Sequence, residues 1–338
     1  MSRWRGVAAV AAAISLVTLL AAGADASVSR SAAFDPTCGA ARAASRTVDG
    51  TLGSVTLHGT PKRVVALEFS FVDDLVAIGV KPVGIADDNN PSSIIPPVRA
   101  KVAGYTSVGL RATPNLETIA SLHPDLIIAD ATRDAKIMKK LQAIAPTIAL
   151  DSLQQAYLPN LHSAIVIGQL VNKCGAMRVR VKQDKLVMAR MAKVVPKSYA
   201  SKRAMFVVSD KTVFNVHSSL AYTPSLLKAL GIGEANIVQP AKGANPYIVM
   251  SLEDLVSNNP DIMFVADYFP GTAVVDQFRK SPLWNTVTAA KNNQVYNVNP
   301  ALWSKARGLL AGEMIAQQAV HLLFHKYVSI ALPKVTSA

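Results

Sequence analysis

The chain repeats a phrase. Residues 116–130 read LETIASLHPDLIIAD, and residues 252–267 read LEDLVSNNPDIMFVAD. In each, Leu-Glu opens a helical pattern, Pro-Asp stands seven residues after the glutamate, and an apolar strand ends in Asp. A weaker match pairs DDLVAIGV (73–80) with SLLKALGI (225–232). Two copies of one helix–turn–strand phrase imply two lobes built on one α/β plan. With 338 residues, half of them apolar, the chain can fill two cores of about 150 residues each and is not a disordered one.

Apolar runs and helical patterns alternate around these phrases. Arg63–Glu68, Val83–Ala86, Leu126–Ala129 and Thr147–Leu150 read as strands, and Phe71–Ile78, Leu116–Leu122 and Asp134–Ile144 as helices. That order predicts parallel, doubly wound units. A longer helical stretch covers Tyr157–Val195 with a break at Asn172–Gly175. Its second part is a rod of roughly 30 Å, with Arg178, Lys182 and Lys185 on one face and Val179, Leu186 and Arg190 elsewhere. Pro196 ends it, and strands restart at Ala204–Ser209 and Val213–Val216. The expected architecture is two doubly wound α/β lobes, 51–174 and 196–338, joined by one long rigid helix, 175–195.

The first residues narrow the function. Arg3 and Arg5 precede an apolar run from Val7 to Ala22, and Ala24-Asp25-Ala26 offers a small-residue cleavage site before Ser27. Residues 1–26 therefore read as a cleavable signal peptide, because the run of 16 is shorter than the roughly 18 apolar residues that span a bilayer. No later window is apolar enough to span one, and no cysteine follows the run to carry a lipid anchor. Residues 27–50 lack a period and read as a loose tail. The formal charge of +13 becomes +12 once Arg3, Arg5 and Asp25 are removed, which still calls for an anionic partner. Export argues against nucleic acid as that partner. The two cysteines, Cys38 and Cys174, are either one disulfide or two separate thiols, and spacing does not decide which.

The repeat also places candidate ligand residues. Arg111 stands six residues before Glu117 and Tyr247 six before Glu253; Arg133 follows the strand ending at Asp130, and Tyr268 follows the one ending at Asp267. Such positions lie past strand ends, where open α/β sheets bind ligands.

Three segments, PKRVVALEFSFVDDLVAIGVKPVGIADD (61–88), VGLRATPNLETIASLHPDLIIAD (108–130) and SPLWNTVTAAKNNQVYNV (281–298), resemble the helical-backbone class of periplasmic binding proteins. That class serves ABC importers of iron–siderophores and cobalamin. LEFSFVDDL, IADDN, RATPNLE, FNVH (214–217) and LWSKARG (302–308) resemble its ferric-citrate-carrying branch. The resemblance runs from about Gly50 to the C-terminus. It implies a periplasmic receptor, a monomer, that captures iron(III)-citrate in a shallow cleft and docks on an ABC importer permease. It implies no enzymatic step, no cofactor and no metal bound directly by the protein. Matching positions put Arg111, Arg133, Trp303 and Arg307 toward the ligand, with His217 a further candidate and Lys305 standing where a relative has another arginine. Glu117 and Glu253 are implied permease-docking residues, one per lobe. Arginine suits the carboxylate-rich ligand, since its planar fork stays charged and pairs bidentately. The alternatives on the same scaffold are another iron–siderophore, haem or cobalamin, with His217, Tyr222 and Tyr247 favouring haem. A periplasmic metal-ion receptor would need clustered histidines, and the six here are scattered. A secreted hydrolase would need a nucleophile–base pair, which cannot be placed. His321 and His325 have metal-binding spacing but no third ligand nearby, and Gly231-Ile-Gly233 marks a helix end rather than a dinucleotide loop.

Overall fold

The computed structural model describes residues 45–235, 237 and 245–332. The proposed signal peptide, most of the expected tail, and Cys38 lie outside the described residues. In chain order the first half comprises β1 (Arg46–Gly50), β2 (Gly53–Leu57), β3 (Val64–Ala66), α1 (Phe69–Ala77), β4 (Gly84–Ile85), α2 (Pro96–Arg99), β5 (Thr106–Ser107), β6 (Gly109–Leu110), β7 (Thr113–Pro114), α3 (Leu116–Ser121), β8 (Leu126–Asp130), α4 (Met138–Gln142) and β9 (Thr147–Leu150). Then come α5 (Tyr157–Leu170), α6 (Cys174–Ala192), β10 (Ala204–Ser209), β11 (Phe214–His217), α7 (Tyr222–Ala229), β12 (Tyr247–Val249), α8 (Leu252–Asn258), β13 (Ile262–Asp267), α9 (Val274–Lys280), α10 (Thr288–Lys291), β14 (Val295–Val298) and α11 (Leu309–Phe324).

The N-terminal sheet is parallel throughout, in the order β5-β4-β3-β8-β9. The C-terminal sheet runs β12-β11-β10-β13-β14, and here β11 is reversed, antiparallel to both its neighbours β10 and β12. The reason is local: four residues separate β10 from β11, enough for a hairpin but not for the crossover a parallel pair requires. Along the central strands, alternate residues enter different cores. Val64, Ala66, Leu126, Ile128, Phe206 and Phe264 join one core common to both lobes. Val65, Leu67, Ile127 and Ala129 face a second core private to the N-terminal lobe, and Met205, Val207, Met263 and Val265 a third private to the other. Apolar residues on both faces explain why these strands read as unbroken apolar runs.

The repeat is structural. His123 and Asn259, each preceding its Pro-Asp, both adopt positive φ (43° and 48°) and end their helices in a left-handed turn. Asp125 then accepts the amides of Lys62 and Arg63, while Asp261 accepts the amide and guanidinium of Arg203. Each Asp thus clips its own strand to a parallel neighbour in the sheet, β8 to β3 and β13 to β10.

Three expectations are corrected. A strand begins inside the expected tail at Arg46: Val48 is buried, and the Arg46 guanidinium donates to the carbonyls of Gln169 and Leu170 at the end of α5. The helix expected over Asp134–Ile144 is a short 3-10 turn followed by α4, because the Asp134 carboxylate turns back to accept the Asp130 amide. And α11, expected within the C-terminal lobe, packs on α1 of the N-terminal lobe and on α6. The joining helix is observed as α6, broken from α5 at Asn172 (φ 55°), and Cys174 at its start is buried and not a free thiol.

The junction of the lobes is built from buried acids. Asp73 of α1 accepts the amides of Leu310 and Ala311 (both 2.9 Å), and Asp74 accepts that of Leu309 (3.2 Å), so α1 caps the N-terminus of α11. The approach is close enough that a Cβ on Gly308 would stand 2.4 Å from Asp73, which only glycine avoids. Around them Arg180 pairs with Glu313 (2.9 Å), and Tyr157 donates to Asp184 (2.6 Å). Four carboxylates share one arginine, and Asp74 Oδ2 has no partner among the described residues. Burial, reinforced by the neighbouring carboxylates, raises Asp73 and Asp74 and lifts Asp184 to about 7, while burial alone raises Glu313 against the pull of Arg180. Carboxyls that titrate higher folded than unfolded favour the fold at low pH, and that contribution is lost as pH rises through about 7. Replacing Asp74 by Asn removes one buried charge while keeping the acceptor for Leu309. In urea unfolding, D74N is expected to exceed the parent by roughly 1–4 kcal/mol at pH 8, an excess that shrinks as the pH falls and closes only below about 4, where the Asp74 carboxyl is protonated in the unfolded chain as well; a variant less stable than the parent by the same amount at pH 8 and pH 4 would contradict this.

Candidate functional site

The charged residues of the site stand past the carboxyl ends of strands or in loops, while His217 and Tyr247 lie at the paired ends of β11 and β12. Glu68 follows β3, at the N-terminus of α1, yet its side chain makes no capping bond to that helix. It is fully buried and meets three arginines instead. Arg111 Nη1 lies 3.1 Å away, Arg307 Nη2 lies 3.3 Å away, and Arg133 Nε donates to the other oxygen. Asp88 follows β4, where Asp88 and Asn89 take positive φ in succession (60° and 52°), a costly backbone that points the Asp88 carboxylate at Arg111. It accepts from Arg111 Nη2 at 2.8 Å and Nε at 3.2 Å, and from Lys305 Nζ at 3.3 Å.

Each cation is held by its own scaffold. Arg111 sits in the turn between β6 and β7 and packs over the Phe69 ring, 4.3 Å from its centroid. Arg133 lies in the loop after β8, which the Asp130 carboxylate organises by accepting the amides of Thr132, Arg133, Ser152 and Leu153. Arg307 donates to the Ser304 carbonyl at 2.8 Å and reaches Ser152 Oγ at 3.5 Å. All three nitrogens of Arg111 and of Arg307 are thereby engaged. Arg133 differs: among the described residues its two terminal nitrogens have no protein partner, and its side chain is 20% exposed, against 8% for Arg111 and 6% for Arg307.

The electrostatics follow from this packing. Burial alone would push Glu68 up, but Arg111, Arg307 and Arg133 together hold it below the usual range, so it is ionised. Asp88 is likewise held down, at about 2, by Arg111 and Lys305 against partial burial. Four cations thus face two carboxylates, and the cluster carries net positive charge.

The C-terminal lobe brings rings and hydroxyls. Tyr247 donates to the Leu153 carbonyl at 2.9 Å, and its ring centroid lies 4.2 Å from that of His217. His217 is buried against Phe206, and burial together with the charge of Arg307 lowers it to about 3, leaving a neutral imidazole. Tyr268, the strand-end residue of the second lobe, pairs with Ser304 Oγ at 2.6 Å and lies beneath Lys305.

The structure brings Arg111, Arg133, Lys305 and Arg307 together in one cluster, with Tyr247 and His217 beside it. Trp303 is a correction: it is wholly buried, stacked 4.9 Å from Phe264, and its indole N–H donates to Gln318 (2.8 Å). One wide turn over Ala301–Lys305 sends Trp303 into the core and Lys305 to the site. Glu68 and Asp88 were not anticipated, although both lie within segments that carry the family resemblance. The available signal is a lone acid ending an apolar strand, VVALE, as Asp130 ends LIIAD. Glu117 and Glu253 are both exposed, each the second residue of its helix, α3 and α8. Tyr222 is a core residue, donating to the Gly308 carbonyl. His321 stacks on Tyr327, and among the described residues no group of three His, Cys, Asp or Glu side chains could hold a metal.

Comparison with known proteins agrees with this geometry. A family described as periplasmic binding protein matches residues 64–302. The chain is 40% identical over 284 residues to the Fe(3+) dicitrate-binding periplasmic protein FecB of Escherichia coli, covering 84% of this chain and 92% of that one. It is 38% identical over 282 residues to the Fe(3+)-citrate-binding protein YfmC of Bacillus subtilis, covering 83% and 87%. Among solved structures, Staphylococcus aureus SirA complexed with staphyloferrin B aligns with a TM-score of 0.72 at 24% identity, covering 82% and 98%; at that identity the likeness shows the shared fold. With two α/β lobes, a joining helix and these relatives, the chain belongs to the periplasmic binding protein family, whose members bind and carry substrates rather than transform them.

Proposed function

We propose that this chain is an exported receptor that captures iron(III)-citrate at the arginine cluster and delivers it to an ABC importer permease. The observation that carries the reading is the net positive cluster of four cations over two carboxylates, with the outer nitrogens of Arg133 unengaged. A ferric citrate complex presents carboxylate oxygens outward. A guanidinium fork pairs with them while the iron stays on citrate, so no protein ligand to the metal is needed. The relatives named for ferric citrate support the ligand class. Export through residues 1–26 into an oxidising periplasm suits a Cys38–Cys174 bridge. Exposed Glu117 and Glu253 occupy equivalent places on the two lobes and serve as permease-docking points. Among the described residues no helix is long and apolar enough to cross a membrane.

Calorimetric titration with ferric citrate, beside iron-free citrate, haem and cobalamin, tests the ligand. Saturable ferric citrate binding that weakens with added salt is expected, and Arg133→Ala should lose about 10- to 100-fold in affinity, the worth of a charge-assisted fork. Tight haem or cobalamin binding without a ferric citrate signal would overturn the ligand and keep the family. Because burial and Arg307 hold His217 neutral, its imidazole resonances should not titrate between pH 8 and pH 5, well above its value of about 3; a midpoint near 6.5 would place it in water instead. Replacing Glu117 and Glu253 together by Ala should leave affinity unchanged while ligand-stimulated ATPase activity of the reconstituted importer falls, and undiminished stimulation would remove them from the dock.

A further inference from the structure

The charges of this chain are not spread evenly. Residues 152–209 contain ten Lys and Arg but a single acid, Asp184, and residues 309–332 contain a single acid, Glu313. Both acids are buried at the lobe junction. The helices α6 and α11 pack on each other, so the surface they share exposes cations and no carboxylate among the described residues. Past the first turn of α6, where Gly175 and Ala176 are exposed, the exposed positions are Lys182, Lys185, Leu186, Ala189 and Lys193 at its C-terminal cap, a spacing of three, four, seven and eleven that marks one face. The stripe is about 16 Å long at ~1.5 Å per residue.

Apolar groups lie in the same surface. Leu186 is 43% exposed, within the cationic stripe rather than apart from it. After α11 the chain turns at His325 (φ 53°) and runs back along α6, where Arg190 donates to the Ala331 carbonyl at 3.1 Å. That segment exposes Tyr327, Ile330 and Leu332. Four of the eleven large apolar side chains exposed among the described residues therefore gather beside the lysine stripe. A solvated charged face would intersperse acids and keep its apolar residues inward. Cations with protruding Leu, Ile and Tyr are instead what an anionic bilayer surface accepts, lysines at the phosphates and apolar tips at the acyl boundary.

We propose that the α6 face and the segment after α11 dock on anionic phospholipid, holding the receptor at the membrane surface. The test is flotation of the exported protein with vesicles of phosphatidylcholine alone or mixed with phosphatidylglycerol, at low and high salt. Two charge-matched variants are compared: K182E/K185E/K193E on α6, and K136E/K139E/K140E, equally exposed on the N-terminal lobe. Melting curves confirm that both fold. Binding to the anionic vesicles is expected for the parent and for the N-terminal variant, at least about tenfold weaker for the α6 variant, with salt-resistant residual binding lost in Leu186→Ser. Equal loss in both variants would reduce the effect to net charge and overturn the assignment. So would equal binding to neutral vesicles, or binding only to vesicles that carry the permease, which would make the face a protein dock.

Discussion

One buried carboxylate holds the site together. Glu68, removed from water, would be costly if ionised and alone, and three guanidinium groups drawn from distant loops would repel one another without it. Together they satisfy each other: Arg111, Arg133 and Arg307 keep Glu68 charged, and Glu68 fixes the forks. The cations are thus oriented before any ligand arrives, so little side-chain ordering remains to be done on binding.

The same short helix carries this order through the fold. Glu68 opens α1, and one to two turns later Asp73 and Asp74 seize the N-terminus of α11. The loop entering α11 bears Lys305 and Arg307, which return to Asp88 and Glu68. Site and junction are therefore two ends of one polar ladder spanning both lobes, laid over a core they share. Such an arrangement favours small adjustments around a preformed site over wide hinge motion, as does the unbroken α6 between the lobes.

How much of this could be read from the chain depends on whether a pattern is local. The central strands were legible because both faces are apolar, and the repeat because Leu-Glu and Pro-Asp recur at one spacing, which the structure matches with a left-handed residue and an Asp clip in each lobe. Arg111 and Arg133 were legible as positions past strand ends, and Arg307 only through the resemblance carried by LWSKARG. What was not legible depends on partners far away in sequence. The acid that ends the apolar run VVALE is a local signal at Glu68, but nothing local shows which arginines meet it, nor that Trp303 turns into the core two residues before Lys305 reaches the site. β1 was hidden because its only strong apolar residue is Val48, and its pairing depends on β2 and the end of α5. The basic α6 was legible as a charged face, but Leu186, set apart from it in the sequence reading, is exposed beside Lys182 and Lys185, and the returning C-terminal segment joins them only in three dimensions.

The central claim is that the arginines on Glu68 are the ones that meet the ligand. Selective observation of arginine Nε–H resonances tests it directly, during titration with gallium(III) citrate as a diamagnetic counterpart of the ferric complex. Arg111, Arg133 and Arg307 are expected to shift and saturate together, while Arg203 and Arg279, paired with Asp261 and Asp276 elsewhere, stay still. Saturation accompanied by shifts at the latter pair and none at the cluster would contradict the account.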